Sequence, residues 1–313
     1  MKRLLIIVTL MFVSLLASCA AFSLLMVTAS SAYAGTTMTS QSIDKNLPAQ
    51  AEASVLVRNI AGSVKVSGWT KNEVHVSGVL TDGTSLDFHQ VGDGVEIRVI
   101  YSQNSHNHAQ ADLTISVPVA SRLSVNTVSA GIQAMDLTGP EQLESVSGDV
   151  ELESGSADIS AKSVSGEVTI NGSAKDAHVL AHSVSGDVKI NRVNGDLQAE
   201  SVSGTVKVSD QSRLTRARLS STSGNLEVVA AIAKGGSYSL NSVSGNISLS
   251  FPGKPDARFD ISSFSGDIDN NFGPKAQRTS QYAPGKELHF TSGAGSAQVN
   301  VRTMSGNIDL RTH

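Results

Sequence analysis

The strongest constraint on this chain is a hexapeptide that recurs through its C-terminal half. It starts as SVSGDV at Ser145–Val150 and drifts to TMSGNI at Thr303–Ile308. Successive copies are about 18 to 21 residues apart, with one gap about twice as long, and such a period indicates stacked structural repeats. The glycines at the centre of these copies are Gly148, Gly166, Gly186, Gly204, Gly224, Gly245, Gly266 and Gly306.

Polar and apolar residues alternate after each glycine, as in Val150-Glu151-Leu152 and Val188-Lys189-Ile190. A period of two predicts a β-strand with one face in a core, and the spacing of three and four that a helix needs is absent. The Ser-Gly step interrupts each strand. Because glycine accepts a positive φ and serine can bond to a nearby backbone group, we interpret this step as a structural corner.

We therefore predict an all-β fold, a parallel β-solenoid (β-helix) with turns of about 18–21 residues. The alternative is a β-sandwich of short hairpins, since its strands show the same alternation. Stacked turns would place two columns of side chains in the interior. The first predicted column is Val146, Val164, Val184, Val202, Thr222, Val243, Phe264 and Met304. The second is Val150, Val168, Val188, Val206, Leu226, Ile247, Ile268 and Ile308.

Residues 1–34 have the pattern of an export signal, with a positively charged start before the apolar tract Leu4–Leu16. Two endings compete. Leu16–Cys19 fits a lipoprotein box in which Cys19 is lipidated, and Ala32–Ala34 fits an ordinary cleavage site. An uncleaved membrane anchor is the third reading, because the combined tract is long enough to span a bilayer. All three export the remainder to the periplasm, the outer membrane or the cell surface.

The rest of the chain divides by its repeats. We expect a flexible polar linker at 35–50, diverged N-terminal β turns at 51–120, and the regular solenoid at 121–313 with an excursion near 271–288. The formal net charge of −4 and the aromatic content of 4% disfavour a nucleic-acid binder. Membrane contact is expected only through a lipid anchor or an uncleaved signal. The only cysteine is Cys19, so we expect no disulfide in the mature chain.

In three successive repeats the residue that follows the corner glycine is acidic, namely Asp149, Glu167 and Asp187. Stacked carboxylates repel each other, so they either point apart into water or bridge a divalent cation. We favour the first reading and keep this ladder as the one candidate metal site. His106 and His108 could share a strand face and bind zinc, but no third ligand is near in sequence and a solvated loop is favoured.

A second group of charged residues could meet a ligand. Arg213, Arg216 and Arg218 form a small basic cluster that could attract an anionic glycan or a lipid headgroup, although a solvated face is the favoured reading. His178 and His182 lie four apart, about 13 Å along a strand, which is too far to share a metal ion. No nucleophile elbow, phosphate-binding loop or zinc-protease motif occurs. We predict no enzyme, no catalytic residues and no cofactor.

The repeats also resemble a bacterial exported adhesin-like family of unknown function that is built from β-strand repeats. VRNIAGSVKVSGW at Val57–Trp69 and GAGSAQVNVRTMSGNIDL at Gly293–Leu310 share the resemblance, which covers nearly all of the mature chain. It implies a single β-helical domain in the cell envelope and carries over no catalytic residues.

We therefore predict a non-catalytic envelope protein whose solenoid face is a binding, adhesin-like or structural surface for a protein or a glycan. The first alternative is an accessory or sensory component of an envelope-stress system that acts through a protein partner. The second alternative, an enzyme, is a β-helix that acts on polysaccharides.

Overall fold

The computed structural model describes residues 40–102, 109–209, 211–280 and 284–312, which lie within one compact unit, Met38–His313. Every regular element in these ranges is a β-strand, and none of the described residues forms a helix that could cross a bilayer. The predicted export signal, Cys19 and the pair His106 and His108 lie outside the described residues.

The strands, in chain order, are β1 (Ser40–Pro48), β2 (Ser54–Asn59), β3 (Gly62–Trp69), β4 (Glu73–Thr81), β5 (Thr84–Val91), β6 (Gly94–Tyr101), β7 (Ala111–Pro118), β8 (Arg122–Thr127), β9 (Gly131–Leu137), β10 (Glu141–Ser145), β11 (Val150–Ser154), β12 (Asp158–Ser163), β13 (Val168–Gly172), β14 (Ala177–Ser183), β15 (Val188–Asn191), β16 (Asn194–Ser201), β17 (Val206–Val208), β18 (Arg213–Ser221), β19 (Leu226–Val229), β20 (Ser237–Ser242), β21 (Ile247–Phe251), β22 (Ala257–Ser265), β23 (Ile268–Asn270), β24 (Gln277–Arg278), β25 (Lys286–Ser292), β26 (Ala297–Ser305) and β27 (Ile308–Thr312).

Two sheets enclose one hydrophobic core. The first sheet has the order β1-β4-β7-β3-β9-β11-β13-β15-β17-β19-β21-β27-β23. The second has the order β24-β25-β22-β26-β20-β18-β16-β14-β12-β10-β8-β2-β6-β5. From β8 to β21 successive strands alternate between the sheets, so each turn of the chain supplies one strand to each. All pairs in this middle region are parallel, and they confirm the predicted parallel β-solenoid over the β-sandwich.

The second predicted column is confirmed as an interior column. Val150, Val168 and Val188 pair in register in the first sheet, and each is 1% exposed or less. The residues between them, such as Glu151 and Lys189, point outward. The apolar residues of the alternating pattern therefore face the core and the polar residues between them face the solvent, as in a strand with one buried face.

The first predicted column is wrong about direction. Its residues do stack turn on turn, but they point outward, with Val146 37% exposed and Phe264 64% exposed. The preceding serine takes the interior position instead, as Ser145 does at 6% exposure. Because the corner interrupts the strand, alternation cannot be counted across it from Val150 back to Val146.

The order of turns departs from chain order at both ends of the solenoid. The β26–β27 turn lies between the β20–β21 and β22–β23 turns. The β2–β3 turn likewise lies between the β6–β7 and β8–β9 turns. At the C-terminal end of the solenoid, the second residues of the hexapeptides therefore stack in the order Val243, Met304, Phe264, which is not their order in the sequence.

Antiparallel strands finish both ends. The predicted flexible linker at 35–50 is corrected in its described part, because β1 pairs with β4 along its whole length and buries Ile43. That pairing satisfies the backbone groups of β4, which would otherwise lie at a free sheet edge. Within residues 271–288, β24 and the start of β25 continue the second sheet beyond β22. Further along β25, Phe290 stacks on Phe259 of β22 with ring centres 4.7 Å apart.

Candidate binding surfaces

The first residue of the hexapeptide, a serine in every copy but that of Thr303, holds the corner. The Ser163 hydroxyl accepts the Gly166 N–H at 2.9 Å and donates to the Gly148 carbonyl of the preceding turn at 3.1 Å. Ser183 and Ser201 make the same two bonds one and two turns later. A buried hydroxyl thus closes its own corner and ties it to the neighbouring one.

The corner glycines serve a purpose other than the predicted one. None of the eight has a positive φ. Instead, a Cβ on any of them would overlap the carbonyl oxygen of the residue stacked on it in the adjacent turn, as Gly186 would overlap Gly166. Glycine is required because the backbones of successive turns approach too closely for a side chain.

The residue after the glycine forms a third set of bonds between turns. The Asp187 carboxylate accepts the N–H of Thr205 at 2.7 Å, and the Asn225 amide oxygen accepts the N–H of Asn246 at 3.0 Å. These acceptors satisfy backbone donors that lie at the bend, outside the ladders of the two sheets. Aspartate and asparagine are interchangeable here because each offers a short side chain with an oxygen acceptor.

The candidate cation ladder follows the same pattern. Asp149 accepts the N–H of Glu167 at 2.8 Å, and the Glu167 carboxylate is bonded by Lys189 at 2.7 Å. That lysine lowers the pKa of Glu167. In the described ranges no group of three His, Cys, Asp or Glu side chains is placed to hold a metal ion. A cation at Asp149, Glu167 and Asp187 stays a prediction to which these contacts add no support.

The bonds of the corner serine predict a measurable stability effect. Ser163→Ala leaves the buried Gly166 N–H without its acceptor, and we expect a loss of about 1–3 kcal/mol in unfolding free energy. Ser165→Ala is the matched control, because it changes the exposed serine of the same corner. Urea denaturation followed by circular dichroism measures both. Equal stability of the two variants would contradict this account of the corner.

The outward second residue of each corner forms a continuous stripe, here called the apolar ladder. Its members, in stacking order, are Ile60, Val128, Val146, Val164, Val184, Val202, Thr222, Val243, Met304 and Phe264. Among the described residues, six of the ten exposed large hydrophobic side chains belong to it. The remaining four are scattered on other strands and loops.

Backbone hydrogen bonds keep this ladder straight. The N–H of Ser147 donates to the carbonyl of Val128 at 2.7 Å, and the N–H of Ser165 donates to Val146 at 2.9 Å. The same bond recurs along the ladder. At one end the N–H of Ser129 donates to the carbonyl of Ile60, and towards the other end the N–H of Ser305 donates to the carbonyl of Val243. Nine steps at about 4.8 Å make an apolar stripe about 43 Å long on one edge of the solenoid.

A polar surface lies on the outer face of the second sheet. Two adjoining depressions of about 280 Å³ each share Ile159 and His178 in their walls. We call them together the polar groove. The side chains that line it and bear on its chemistry are Arg122, Ser124, Gln142, Asp158, Ser160, His178, Asp196, Gln198, Arg216 and Arg218.

The structure separates the predicted basic cluster. Arg216 and Arg218 line the polar groove, but Arg213 does not. Arg216 is neutralised by Asp196 at 2.6 Å, and His178 lies 3.6 Å from the same carboxylate. Arg218 is exposed and forms no ion pair with any residue that the structure describes. Among the described residues, Arg122 in the first depression also forms no ion pair, and neither does the exposed Asp158 beside it, so Arg218 is the uncompensated positive charge of the second depression.

One titratable residue of the interior was missed by the sequence analysis. Glu141 is 3% exposed and lies in register between Leu123 and Ile159, both apolar. Ser154 donates to one of its oxygens, and the other has no partner among the described residues. Burial raises its pKa from 4.5 to about 7. Its position two and four residues before buried Leu143 and Ser145 could have revealed it.

Two overlapping segments of the chain, residues 39–216 and 194–311, match the profile of the Toastrack DUF4097 family. The chain belongs to that family. The described part of the solenoid, with its serine-glycine corners and its apolar ladder, is thus a Toastrack domain. No curated protein sequence matches the chain at a significant level.

The solved structures to which the chain is similar share little sequence with it. A "putative adhesin" from Parabacteroides merdae is 8% identical, with a TM-score of 0.51 over 87% of this chain and 96% of that one. A "putative adhesin" from Bacteroides fragilis is 13% identical, with a TM-score of 0.38 over 86% and 97%. A "putative lipid binding protein" from Parabacteroides distasonis is 11% identical, with a TM-score of 0.43 over 87% and 96%.

Proposed function

We propose that this protein is a non-catalytic binding protein of the cell envelope, exported to the periplasm or the cell surface, whose polar groove holds an anionic glycan. The observation that carries the proposal is a row of outward side chains along the groove. In stacking order the row is Ser124, Gln142, Ser160, Leu180, Gln198 and Arg218. All of these except Leu180 can form hydrogen bonds, and the row ends in the groove at the unpaired guanidinium of Arg218.

The chemistry of this row suits an acidic polysaccharide. Amide and hydroxyl groups about 4.8 Å apart can bond to the hydroxyls of an extended sugar chain. Arg218 can bind a carboxylate through two parallel hydrogen bonds, which are stronger than bonds between neutral groups. Arg216 is paired with Asp196, so Arg218 in the second depression and Arg122 in the first are the groups that select for negative charge.

The test compares two arginines on β18. Arg218→Gln removes the charge inside the groove, and Arg213→Gln removes an exposed charge of the same strand outside it. Binding of oligogalacturonate and of neutral dextran is measured by isothermal titration calorimetry. We expect oligogalacturonate alone to bind, and Arg218→Gln to weaken it about tenfold or more, since a hydrogen bond to a charged group contributes about 1.5–3 kcal/mol.

Three results would overturn the proposal. Absence of binding to the acidic glycan would remove the ligand class. An equal loss in Arg213→Gln would mean that overall charge is sensed and the groove is not. Turnover of the glycan, abolished by Asp187→Ala, would make the protein an enzyme.

A further inference from the structure

The apolar ladder is a surface that the isolated chain leaves unpartnered. Its central members, Val164, Val184 and Val202, are half-buried by their own neighbours, while Met304 and Phe264 at its end are more than half exposed. Soluble monomers rarely expose a contiguous apolar strip of this length, and such strips mark interaction sites. The ladder contributes no residue to the polar groove, so a partner bound to the ladder is independent of the proposed glycan function.

The spacing of the ladder restricts what can cover it. Its side chains repeat at the separation of stacked strands, about 4.8 Å, over nine steps. A partner that places an apolar group into each gap must have the same spacing over the same length. A second copy of this edge has both. We propose that two copies of this chain associate through their apolar ladders, with the two solenoids antiparallel.

Charge beside the ladder decides the orientation. The column that follows the corner glycines, three residues beyond the ladder, is acidic in three turns of one half, at Asp149, Glu167 and Asp187. The next three turns are neutral there, at Thr205, Asn225 and Asn246, and Asp267 lies in the last turn of the stack. Antiparallel pairing centred between Val184 and Val202 sets the first group against the second, in reverse order. Each carboxylate then meets an amide or hydroxyl donor of the second copy.

Parallel pairing would give a mixed set of charge contacts. It brings this column against the column on the other side of the ladder, so that Asp149 of one copy lies beside Glu144 of the other, while Glu167 lies beside Lys162, the ion-pair partner of Glu144. Like charges placed together across an interface cost several kcal/mol. Of the two orientations that identical ladders allow, only the antiparallel one therefore gives each of the three carboxylates a donor in the second copy.

The available area suits a reversible dimer. The five steps from Glu144 to Asp149 span at most about 17 Å, and with the 43 Å length of the ladder they give roughly 700 Å² per copy. Stable interfaces bury about 600–1,000 Å² per partner. We therefore expect a dimer that forms at micromolar concentration and dissociates on dilution.

Sedimentation equilibrium of the exported protein tests the association. Val184→Asp places a charge at the centre of the ladder on a residue that already points outward, and Val91→Asp makes the same change at an exposed valine on β5. We expect Val184→Asp to weaken dimerisation about a hundredfold or more, because the new charge is desolvated against Val202 of the second copy. Val91→Asp should have no effect, and the thermal unfolding of both variants checks that they fold.

Disulfide trapping tests the orientation. Antiparallel pairing places Val146 of one copy opposite Val243 of the other, whereas two copies of Val146 lie five steps, or about 24 Å, apart. A mixture of Val146→Cys and Val243→Cys chains should therefore form the mixed disulfide and neither homodimer. The parent chain, whose only cysteine is Cys19, gives the background.

Several outcomes would overturn the inference. These are a monomer at all concentrations, a dimer that Val184→Asp leaves intact, and disulfides between identical variants. Capture of the monomer by phosphatidylcholine vesicles, lost in Val184→Asp, would assign the ladder to a lipid surface instead. Because none of these assays involves glycan binding, failure here and failure of the proposed function are distinguishable.

Discussion

Gly186→Ala is expected to lower the melting temperature by about 10 °C or more, or to prevent folding. A methyl group there would overlap the carbonyl oxygen of Gly166, which also accepts the Ser183 hydroxyl. The backbone cannot move away without breaking the bonds from Ser185 to Val164 and from Val188 to Thr205. Such overlap belongs with the rare substitutions that cost more than about 4 kcal/mol, and each kcal/mol shifts the melting temperature of a domain this size by about 2–4 °C.

Gly131→Ala is the matched control. Gly131 opens β9, its φ is not positive, and a Cβ there would lie 3.9 Å from its nearest neighbour, the Asp149 carbonyl oxygen. We expect its melting temperature, measured by circular dichroism, to stay within a few degrees of the parent. If both alanine variants unfolded at the same temperature, close stacking would not be the reason for the corner glycines.

The sequence predicted the fold because two patterns agree: the alternation of polar and apolar residues marks the strands, and the 18–21-residue period of the hexapeptide shows that these strands stack. Val150 and Leu152 could be assigned to the interior from their spacing alone, and the structure confirms them. Val146 could not, because the corner intervenes and the Ser145 hydroxyl takes the inward place. A serine that closes a backbone turn is itself a buried residue, so the corner interpretation already implied that Val146 would point outward.

The order in which the turns stack could not be predicted from the sequence. Each hexapeptide offers the same serine, glycine and oxygen acceptor, so the last turn fits against Gly245 as well as against Gly266. The double gap between Gly266 and Gly306 leaves enough chain to pass one turn and return. Stacking chemistry thus specifies that turns fit together, and only the connections specify which turns are neighbours.

The ladder and the groove become related if both proposals hold. The twofold axis of an antiparallel dimer runs perpendicular to the sheets, so both copies present the second sheet on the same side. Two polar grooves would then face one glycan surface. When both grooves bind the same surface at once, the overall affinity can exceed that of a single groove by about 10²–10⁴-fold, although each groove makes the same contacts as before. Val184→Asp should therefore weaken attachment to an immobilised glycan while leaving the affinity of each groove unchanged.

Glu141→Leu is expected to stabilise the protein at pH 8 by about 3 kcal/mol. Burial raises the pKa of Glu141 in the folded chain from 4.5 to about 7, so the folded state holds a proton that the unfolded state releases between these values. The stability of the parent therefore falls as pH rises from about 4.5 to about 7 and is level above that, a loss of about 3 kcal/mol at about 1.4 kcal/mol per pKa unit. Leucine removes the carboxylate and resembles Leu123 and Ile159, its neighbours in the column.

Two further variants separate titration from packing. Glu141→Gln keeps the shape and removes the ionisation, so the difference in unfolding free energy between pH 4.5 and pH 8 should shrink by about 3 kcal/mol relative to the parent. Glu52→Gln alters an exposed carboxylate and should leave that difference as it is. Urea denaturation at both pH values measures all four chains. A pH dependence that Glu141→Gln does not change, or a Glu141→Leu chain less stable than the parent at pH 8, would mean that the charged carboxylate is accommodated within the solenoid.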